Sequence, residues 1–442
     1  MKITDLNIGT TRFDNLDKMF PAQEMLIQSG QLVQYAAGLF GFNKIPLGIK
    51  QRIEQVIREV FEEYGIVEVL LPILHPKEIW EKSGRWQQYI DAEVMLHTES
   101  GRGVFALGPT AEEAIVEFAR QKLNSYKQFP VIYYQMNDKF RNEIRSRGYL
   151  MRGIEFTMMD AYSFDTTPDN ARKSYKKVYD AYIEIFKRLE MDVISVAADS
   201  GAMGGSQSEE FMFLSPLGED TILYDAEHNI GLNTEILERE DYEEYLKQEY
   251  GIDDISHFEE VRAAELGHVF NLGSFYSESM DLEYMDKDEK KKLVYMGCYG
   301  IGISRMVAII YENSLLKKDD KITGMSIPLA VAPYMTQIIY SESKKDFAND
   351  LYRELLKEKV TTILDNREDK KLSIGARIND VKILGTPFVT IVGDKTEEDF
   401  IELEYIKTGQ KYILPKDIYI ETMKAITKNR KFDTAKIDKY KA

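Results

Sequence analysis

Between Phe140 and Phe164 the chain reads FRNEIRSRGYLMRGIEFTMMDAYSF, two segments of strand-like spacing around a charged tip, Arg145-Ser146-Arg147-Gly148. Few folds accept such a stretch, and the spacing predicts an antiparallel hairpin. Residues two apart in a strand share a face, so Arg141 and Glu143 point one way, as do Arg152, Ile154 and Phe156 after the turn. Two guanidiniums and an aromatic ring then converge on one ligand, which suits a polyphosphate with an attached base. A surface hairpin whose arginines make ordinary salt bridges satisfies the same pattern.

The rest of the chain narrows the choice. At 442 residues it is too long for one ordinary core and predicts two or three domains. No apolar run is long enough to cross a bilayer, and MKITDLNIGTTRFDNL has no signal-peptide pattern, so no membrane association and a cytoplasmic location are expected. The single cysteine, Cys298, excludes an internal disulfide and a multi-cysteine zinc site. His75, His97, His228, His257 and His268 lack metal-ligand spacing along the chain, and no protein-bound transition metal is expected. A net charge of -17 argues against nucleic-acid binding by the whole surface. From Lys424 the balance reverses, with Lys424, Lys428, Arg430, Lys431, Lys436, Lys439 and Lys441 against Asp433 and Asp438. That tail is either a solvated helix end or a phosphate-contacting surface.

In chain order, PLGIKQRIEQVIREVFEEYG predicts a helix with Pro46 in its first turn and Gly65 at its end. IVEVLLPIL follows as a strand whose Pro72 marks an edge, a bulge or an interface. Gly108-Pro109-Thr110-Ala111-Glu112-Glu113 then opens a helix. Thr110 can cap it, with Glu112 favoured there by the helix dipole; alternatively the hydroxyl and carboxylate hold an ammonium or imino group. A further helix from Pro168 carries a core stripe of Tyr175, Val178, Tyr182, Ile185 and Leu189. Gly201, Gly204 and Gly205 allow close backbone approach to a ligand or form tight turns. Residues 225–262 are acidic and predict a helix and a solvated connector. KLVYM, a glycine turn from Gly297 to Gly302 and a helix with Arg305 in its first turn make a weak anion-site signal. Beyond a linker near Pro328–Pro333, strand and helix alternate as a separate α/β domain.

Five motifs in order, GPTAEEAI, FRNEIRSRGYLMRGIEF with MMDAYSF, GAMGGSQSEEF with GED, LGHVFNLGSFYSE and GCYGIGISR, resemble bacterial-type prolyl-tRNA synthetase, a class II aminoacyl-tRNA synthetase. The resemblance runs over nearly the whole chain. It implies an α+β catalytic domain with an antiparallel sheet flanked by helices, and a C-terminal α/β anticodon-binding domain. Residues 1–224 and 263–330 would form the catalytic domain, 225–262 a short acidic insertion in the place of the editing domain, and 331–442 the anticodon-binding domain with its basic tail. The segment ending at Pro72 matches the family's dimer motif, so a homodimer is implied.

Such enzymes join ATP and proline into a prolyl-adenylate and then transfer the prolyl group to tRNA(Pro). Carried over by position, Arg141 bridges the amino-acid carboxylate and the α-phosphate, where charge develops during the attack. Glu143 recognises adenine, Phe156 stacks on it, Arg152 is a further phosphate contact and Arg305 grips the γ-phosphate. Thr110 and Glu112 hold the proline nitrogen, with His268 and Cys298 near the amino-acid pocket and Asn271 in the ATP set. Mg2+ would be held mainly by the ATP phosphates, with Glu210 as a protein contributor.

The chain departs from the family at Ala111 and Glu209, where His is frequent, at Ile154 for Arg, Met159 for Lys and Asn271 for Gln, and at Lys370-Lys371-Leu372 for Arg-Pro-Gly. These departures leave two alternatives open: a paralogue that activates another amino acid or uses another acceptor, and a noncatalytic regulatory descendant. Retention of both Arg141 and Arg305 favours catalysis. The insertion is too short for an editing domain, so no cis editing of mischarged alanine is expected.

Overall fold

The computed structural model describes residues 1–9, 16–144, 146–198, 208–368 and 372–442. It divides into two compact units, one of Met1–Ile53, Gly148–Met151 and Val307–Ala442, the other of Glu54–Arg147 and Arg152–Met306.

The second unit is built on a nine-stranded sheet. Its order is Ser208–Leu214, Val193–Ala197, Ile230–Asn233, Asp220–Asp225, Glu259–Gly273, Tyr295–Gly302, Glu155–Asp165, Val131–Phe140 and Val67–Glu68. Neighbours are antiparallel except at Ile230–Asn233 with Val193–Ala197 and at Val67–Glu68 with Val131–Phe140. Ser208–Leu214 also pairs with Glu259–Gly273, so five of the strands close on themselves. Ile194, Val196, Met212, Ile222 and Ala263 form the apolar cluster of that ring.

The predicted hairpin is the antiparallel pair Val131–Phe140 and Glu155–Asp165, in register from Val131 opposite Phe164 to Phe140 opposite Glu155. Its strands end sooner than the alternation suggests. Arg141, Glu143, Arg152 and Ile154 lie in the connection, which contains a short helical turn at Tyr149–Met151, and Arg145 is outside the described residues. The helix predicted from Pro168 spans Pro168–Arg188, with Tyr175, Val178, Tyr182 and Ile185 buried. IVEVLLPIL yields only the two-residue strand Val67–Glu68 and a second short strand, Leu74–Pro76. Pro72, which has no N–H to donate, lies between them.

The acidic segment is more than a solvated connector. Ile230–Asn233 is a strand of the closed ring, and Leu246 packs with Ala197, Leu232 and Ile236. Tyr242, Tyr245, Tyr250, Ile252, Ile255 and Phe258 surround that cluster. These apolar residues are spaced irregularly among acidic ones, so composition conceals them.

In the first unit a five-stranded sheet runs Thr362–Leu364, Thr336–Tyr340, Phe388–Val392, Phe400–Tyr405 and Gln410–Pro415. The first three strands are parallel, as the strand and helix alternation requires, and the last two form an antiparallel extension. Met1–Ile53 belongs to this unit, whereas the sequence reading groups it with residues 54–224. Met1 donates from its ammonium to the Tyr352 hydroxyl (2.5 Å) and the Thr362 carbonyl (3.1 Å), and Lys2 bridges to Leu364. In the basic tail Lys424 pairs with Glu358 and Glu421, each at 3.0 Å, and Arg430 donates to the Ala332 carbonyl at 2.7 Å. Phe432 packs on Phe388, Tyr405 and Tyr412, so part of the tail is structural. Lys370 and Lys371 lie outside the described residues.

The folded character of the insertion is testable. Leu246→Ala removes the centre of its cluster and should weaken it locally by about 2–3 kcal/mol. Limited proteolysis should then cut between residues 226 and 258 faster than in the unaltered protein. Equal cleavage rates would mean that this cluster does not hold the segment.

Candidate active site

Strand alternation divides the nine-stranded sheet into two chemically different faces. One carries Met159, Tyr299, Ile301 and Phe211 and packs on the helix Pro168–Arg188. Phe211 meets Tyr179, Tyr182 and Phe186 with ring centroids 5.1, 5.2 and 5.7 Å apart, and Tyr299 meets Tyr175 at 6.3 Å. Across the other face the register runs Glu210, His268, Gly300, Asp160 and Gln135. Beside it runs Ser208, Phe270, Cys298 and Tyr162. Gly300 leaves room for the Met158 side chain, whose terminal methyl group lies 2.5 Å from where a Cβ would be and would have to shift.

At one end of this face sits a buried acid–base cluster. The helix Glu112–Arg120 begins after Ala111 without a side-chain cap. Thr110, expected as a possible cap, instead donates its hydroxyl to Glu112 Oε2 at 2.5 Å. Glu112 is fully buried; the Cys298 thiol is 3.3 Å from its Oε1, and Arg85 Nη1 is 3.4 Å from its Oε2. The same guanidinium donates to Glu113 Oε1 at 3.1 Å and to the Tyr276 hydroxyl at 2.5 Å, and also to the Tyr89 hydroxyl. The rings of Trp80, Tyr89 and Tyr276 lie 5.5, 4.6 and 5.4 Å from it. Against the cost of burial, Arg85 and the Thr110 hydroxyl hold Glu112 below its ordinary range. Burial and the Glu112 charge push Glu113 up to about 7. Burial raises the Cys298 thiol well above its ordinary value.

Arg141 connects this cluster to the hairpin. Its Nε donates to the Pro109 carbonyl at 3.1 Å, its backbone N–H donates to the Ile154 carbonyl at 2.9 Å, and its guanidinium lies 5.2 Å from the Phe156 ring centroid. Farther along the face, His268 stacks on Phe270 with centroids 3.6 Å apart. Its Nε2 is 2.7 Å from Ser208 Oγ, and its Nδ1 is 3.1 Å from Glu265 and 3.7 Å from Glu210. Arg305 Nη1 donates to the Glu265 carbonyl at 2.7 Å and lies 3.3 Å from its carboxylate. Burial opposes ionisation of Glu265, but His268, Arg305 and Arg141 hold it down to about 2. Burial and the Glu265 charge push Glu210 up to about 8, despite the Asn233 amide donated to it at 2.9 Å. Ligand atoms of Glu210, Glu265 and His268 lie within 4.8 Å of one another.

The remaining expected residues are more loosely engaged. Arg152 is half exposed and lies 3.7 Å from Glu143 and 3.5 Å from Glu219. Asn271 Oδ1 accepts the Gly273 N–H at 3.3 Å. Among the departures, Ala111 and Met159 are buried, and Glu209 accepts the Tyr175 hydroxyl at 2.7 Å on the helix-packed side. Gly201, Gly204 and Gly205 lie outside the described residues.

Several participants escaped the sequence reading: Arg85, Glu113, Tyr276 and Glu265. Arg85 lies in a Trp- and Gly-containing segment with no periodic signal, and Glu113 looks like an ordinary first-turn acid. Glu265 and His268 are three apart and should face opposite ways in a regular strand. They meet because the pairing skips Leu266, with Phe211 opposite Gly267 and Met212 opposite Glu265.

Glu113 offers a measurement. Its folded-state pKa, about 7, lies above the ordinary 4.5, so between those values the folded protein holds a proton that the unfolded chain releases. The contribution of this group to stability therefore falls as pH rises through about 4.5 to 7. Melting temperatures of Glu113→Gln should decline less steeply over that interval than those of the unaltered protein. Parallel curves would show that Glu113 is ionised throughout.

Comparison with known proteins accounts for these features. Residues 96–314 match the tRNA synthetase class II core domain (G, H, P, S and T), and residues 329–426 match the anticodon binding domain. The chain is 34% identical over 409 residues to the proline–tRNA ligase of Pelagibacter ubique, covering 87% of this chain and 90% of that one. It is 33% identical over 434 residues to that of Anaplasma phagocytophilum, covering 94% and 98%. The proline–tRNA ligase of Halalkalibacterium halodurans aligns over 571 positions at 28% identity, covering 96% and 99%. In fold the chain resembles prolyl-tRNA synthetase from Cryptosporidium parvum, solved with halofuginone and AMPPNP and with L-proline and AMP. Both structures have a TM-score of 0.72 and cover 96% of this chain and 78% of that one, at 16% and 15% identity. With two such relatives matched over nearly their full length, the chain belongs to the proline–tRNA ligase family.

Proposed function

We propose that this chain ligates proline to tRNA(Pro) at the expense of ATP, through a prolyl-adenylate formed on the face that carries Glu112, Arg141 and His268. The observation that carries the reading is the continuity from Glu112 and Thr110, past the Pro109 carbonyl, to Arg141 and Phe156. A buried anion, a guanidinium and an aromatic plate follow one another in the order of an imino group, a carboxylate joined to an α-phosphate, and a purine.

Glu112, held ionised by Arg85, accepts the secondary ammonium of proline, and Thr110 fixes the carboxylate's orientation. A proline carboxylate oxygen attacks the α-phosphorus, and the bond from that phosphorus to the pyrophosphate oxygen breaks. Arg141 stabilises the charge that develops there. Phe156 stacks on adenine, Glu143 recognises its edge, and Arg152 and Arg305 contact the phosphates. Asn271 belongs to the same ATP set, while His268 and Cys298 border the amino-acid pocket. A ribose hydroxyl of tRNA then attacks the prolyl carbonyl and AMP leaves.

Glu210 and Glu265 fit Mg2+, a hard ion that takes one or two carboxylates and completes its shell with nucleotide phosphates and water. Bound there, Mg2+ would neutralise phosphate charge. The nearness of the two carboxylates, which adds to burial in pushing Glu210 up, is what supports this assignment.

Residues 1–224 and 263–330 serve as the catalytic domain, with 225–262 in the place of editing and 331–442 reading the anticodon. The alignment with the Halalkalibacterium relative runs over 571 positions against 442 residues here, so that relative carries sequence that this chain lacks. Without cis editing, rejection of a slightly smaller amino acid rests on pocket contacts worth only ~1–3 kcal/mol per methylene. A homodimer is supported by Val67, Leu70 and Leu74, which are 48%, 77% and 50% exposed along the segment around Pro72. Among the described residues no helix is long and apolar enough to cross a membrane, and we assign the enzyme to the cytoplasm.

Proline-dependent exchange of labelled pyrophosphate into ATP tests the activity. Exchange should exceed that with every other amino acid in a panel, and Arg141→Ala should lower it by about 10²–10³-fold with folding retained. Exchange supported only by a different amino acid would overturn the substrate, and undiminished exchange in the variant would overturn the role of Arg141.

A further inference from the structure

Two of the five histidines lie outside the active-site face yet converge on one carboxylate. Asp225 ends the strand Asp220–Asp225, His228 lies in the turn to Ile230–Asn233, and His257 immediately precedes Phe258 and the strand Glu259–Gly273. His228 Nδ1 is 2.5 Å from Asp225 Oδ2, and His257 Nε2 is 3.2 Å from the same oxygen although it is 32 positions away in the chain. Asp225 is only 4% exposed, whereas the two imidazoles are largely open to solvent.

The carboxylate is held for this purpose by the backbone. Asp225 Oδ1 accepts the Glu227 N–H at 2.9 Å and the His228 N–H at 3.4 Å, which directs Oδ2 toward the rings. The turn is fixed further by the Tyr224 hydroxyl, which donates to Asn229 Oδ1 at 2.8 Å. All three candidate ligand atoms lie within 4.8 Å of one another.

We propose that Asp225, His228 and His257 bind one divalent transition metal, zinc by preference, as a staple across the acidic insertion. Two imidazoles and one carboxylate form a donor set suited to Zn2+ rather than to Mg2+ or Ca2+, which favour oxygen ligands throughout. Bonds of about 2.0–2.2 Å in a tetrahedral shell separate ligand atoms by roughly 3.3 Å, close to the His257 contact; the exposed His228 ring has room to move out to it. Water would occupy the fourth position. On binding, each ring offers the metal an unprotonated nitrogen, the proton of the neutral imidazole resides on the other ring nitrogen, and any further proton is released to solvent.

The staple has a physical purpose at this place. Between its ends run an acidic surface and one small apolar cluster around Leu246, a modest core for a segment of this length. Tying His257 to the Asp225 turn closes that segment against the strands on either side of it. The site is separate from Glu210, Glu265 and His268 and takes no part in adenylation. It departs from the sequence expectation of no protein-bound transition metal, because His257 reaches Asp225 and His228 only through strand pairing.

Full-length, metal-free protein titrated with Co2+ provides the test. A visible ligand-field band should saturate at one Co2+ per chain, disappear on addition of Zn2+, and be lost in the H228A/H257A variant while aminoacylation is retained. In unaltered protein, Zn2+ should protect His228 and His257, but not exposed His97, from carbethoxylation by diethyl pyrocarbonate mapped by mass spectrometry. This second measurement decides the matter even if the double variant folds poorly. Absence of the band, its persistence in a folded double variant, or equal modification of His228 and His257 with and without Zn2+ would overturn the proposal.

Discussion

One buried guanidinium serves two buried carboxylates, and the cluster at this end of the sheet face depends on that imbalance. Arg85, itself 6% exposed, faces Glu112 and Glu113, which are both fully buried. One positive charge can stabilise only one anion well in a medium that poorly screens charge, so the two acids separate. Glu112, which also receives the Thr110 hydroxyl, keeps the negative charge; Glu113, pushed up to about 7, holds its proton more readily. Breaking a buried pair leaves an unpaired charge at a cost of about 3–5 kcal/mol, so Arg85 both supports the fold and fixes which of the two acids stays ionised.

The same logic recurs farther along the sheet face, around Glu265 and His268, with the signs rearranged. There Glu265 is the shared acid, approached by His268, Arg305 and Arg141, and it is held ionised. Glu210 lies beyond it and is pushed toward the neutral form. Arg141, from the hairpin connection, and Arg305, from the helix Ile303–Asn313, thus meet acids of the sheet with their charges already in place. Preorganised charge of this kind lowers a barrier because it need not be assembled during the reaction.

Much of this was legible in the sequence. Order and spacing of the motifs around Thr110, Arg141, His268 and Arg305 identify the family, and helical periodicity places the Tyr175 to Ile185 stripe in the core. The strand and helix alternation after Thr336 yields the parallel part of the C-terminal sheet. Local patterns failed where geometry is set at a distance. Of the two readings open for Thr110, the structure shows no cap but a bond to Glu112, and the acidic insertion, read as a helix and a solvated connector, contributes a strand and a small core.

The sequence by itself determined the family, because the motif order belongs to the chain, and the parallel part of the C-terminal sheet, because strand and helix periods are local properties. Only the tertiary structure decided which charges meet. Arg85 reaches Glu112 across 27 positions and Cys298 reaches it across 186. Glu265 joins His268 because Leu266 is passed over in the pairing. Coulomb and hydrogen-bond energies depend on distance in space and on burial, and a one-residue shift in strand register reassigns every side chain to the other face.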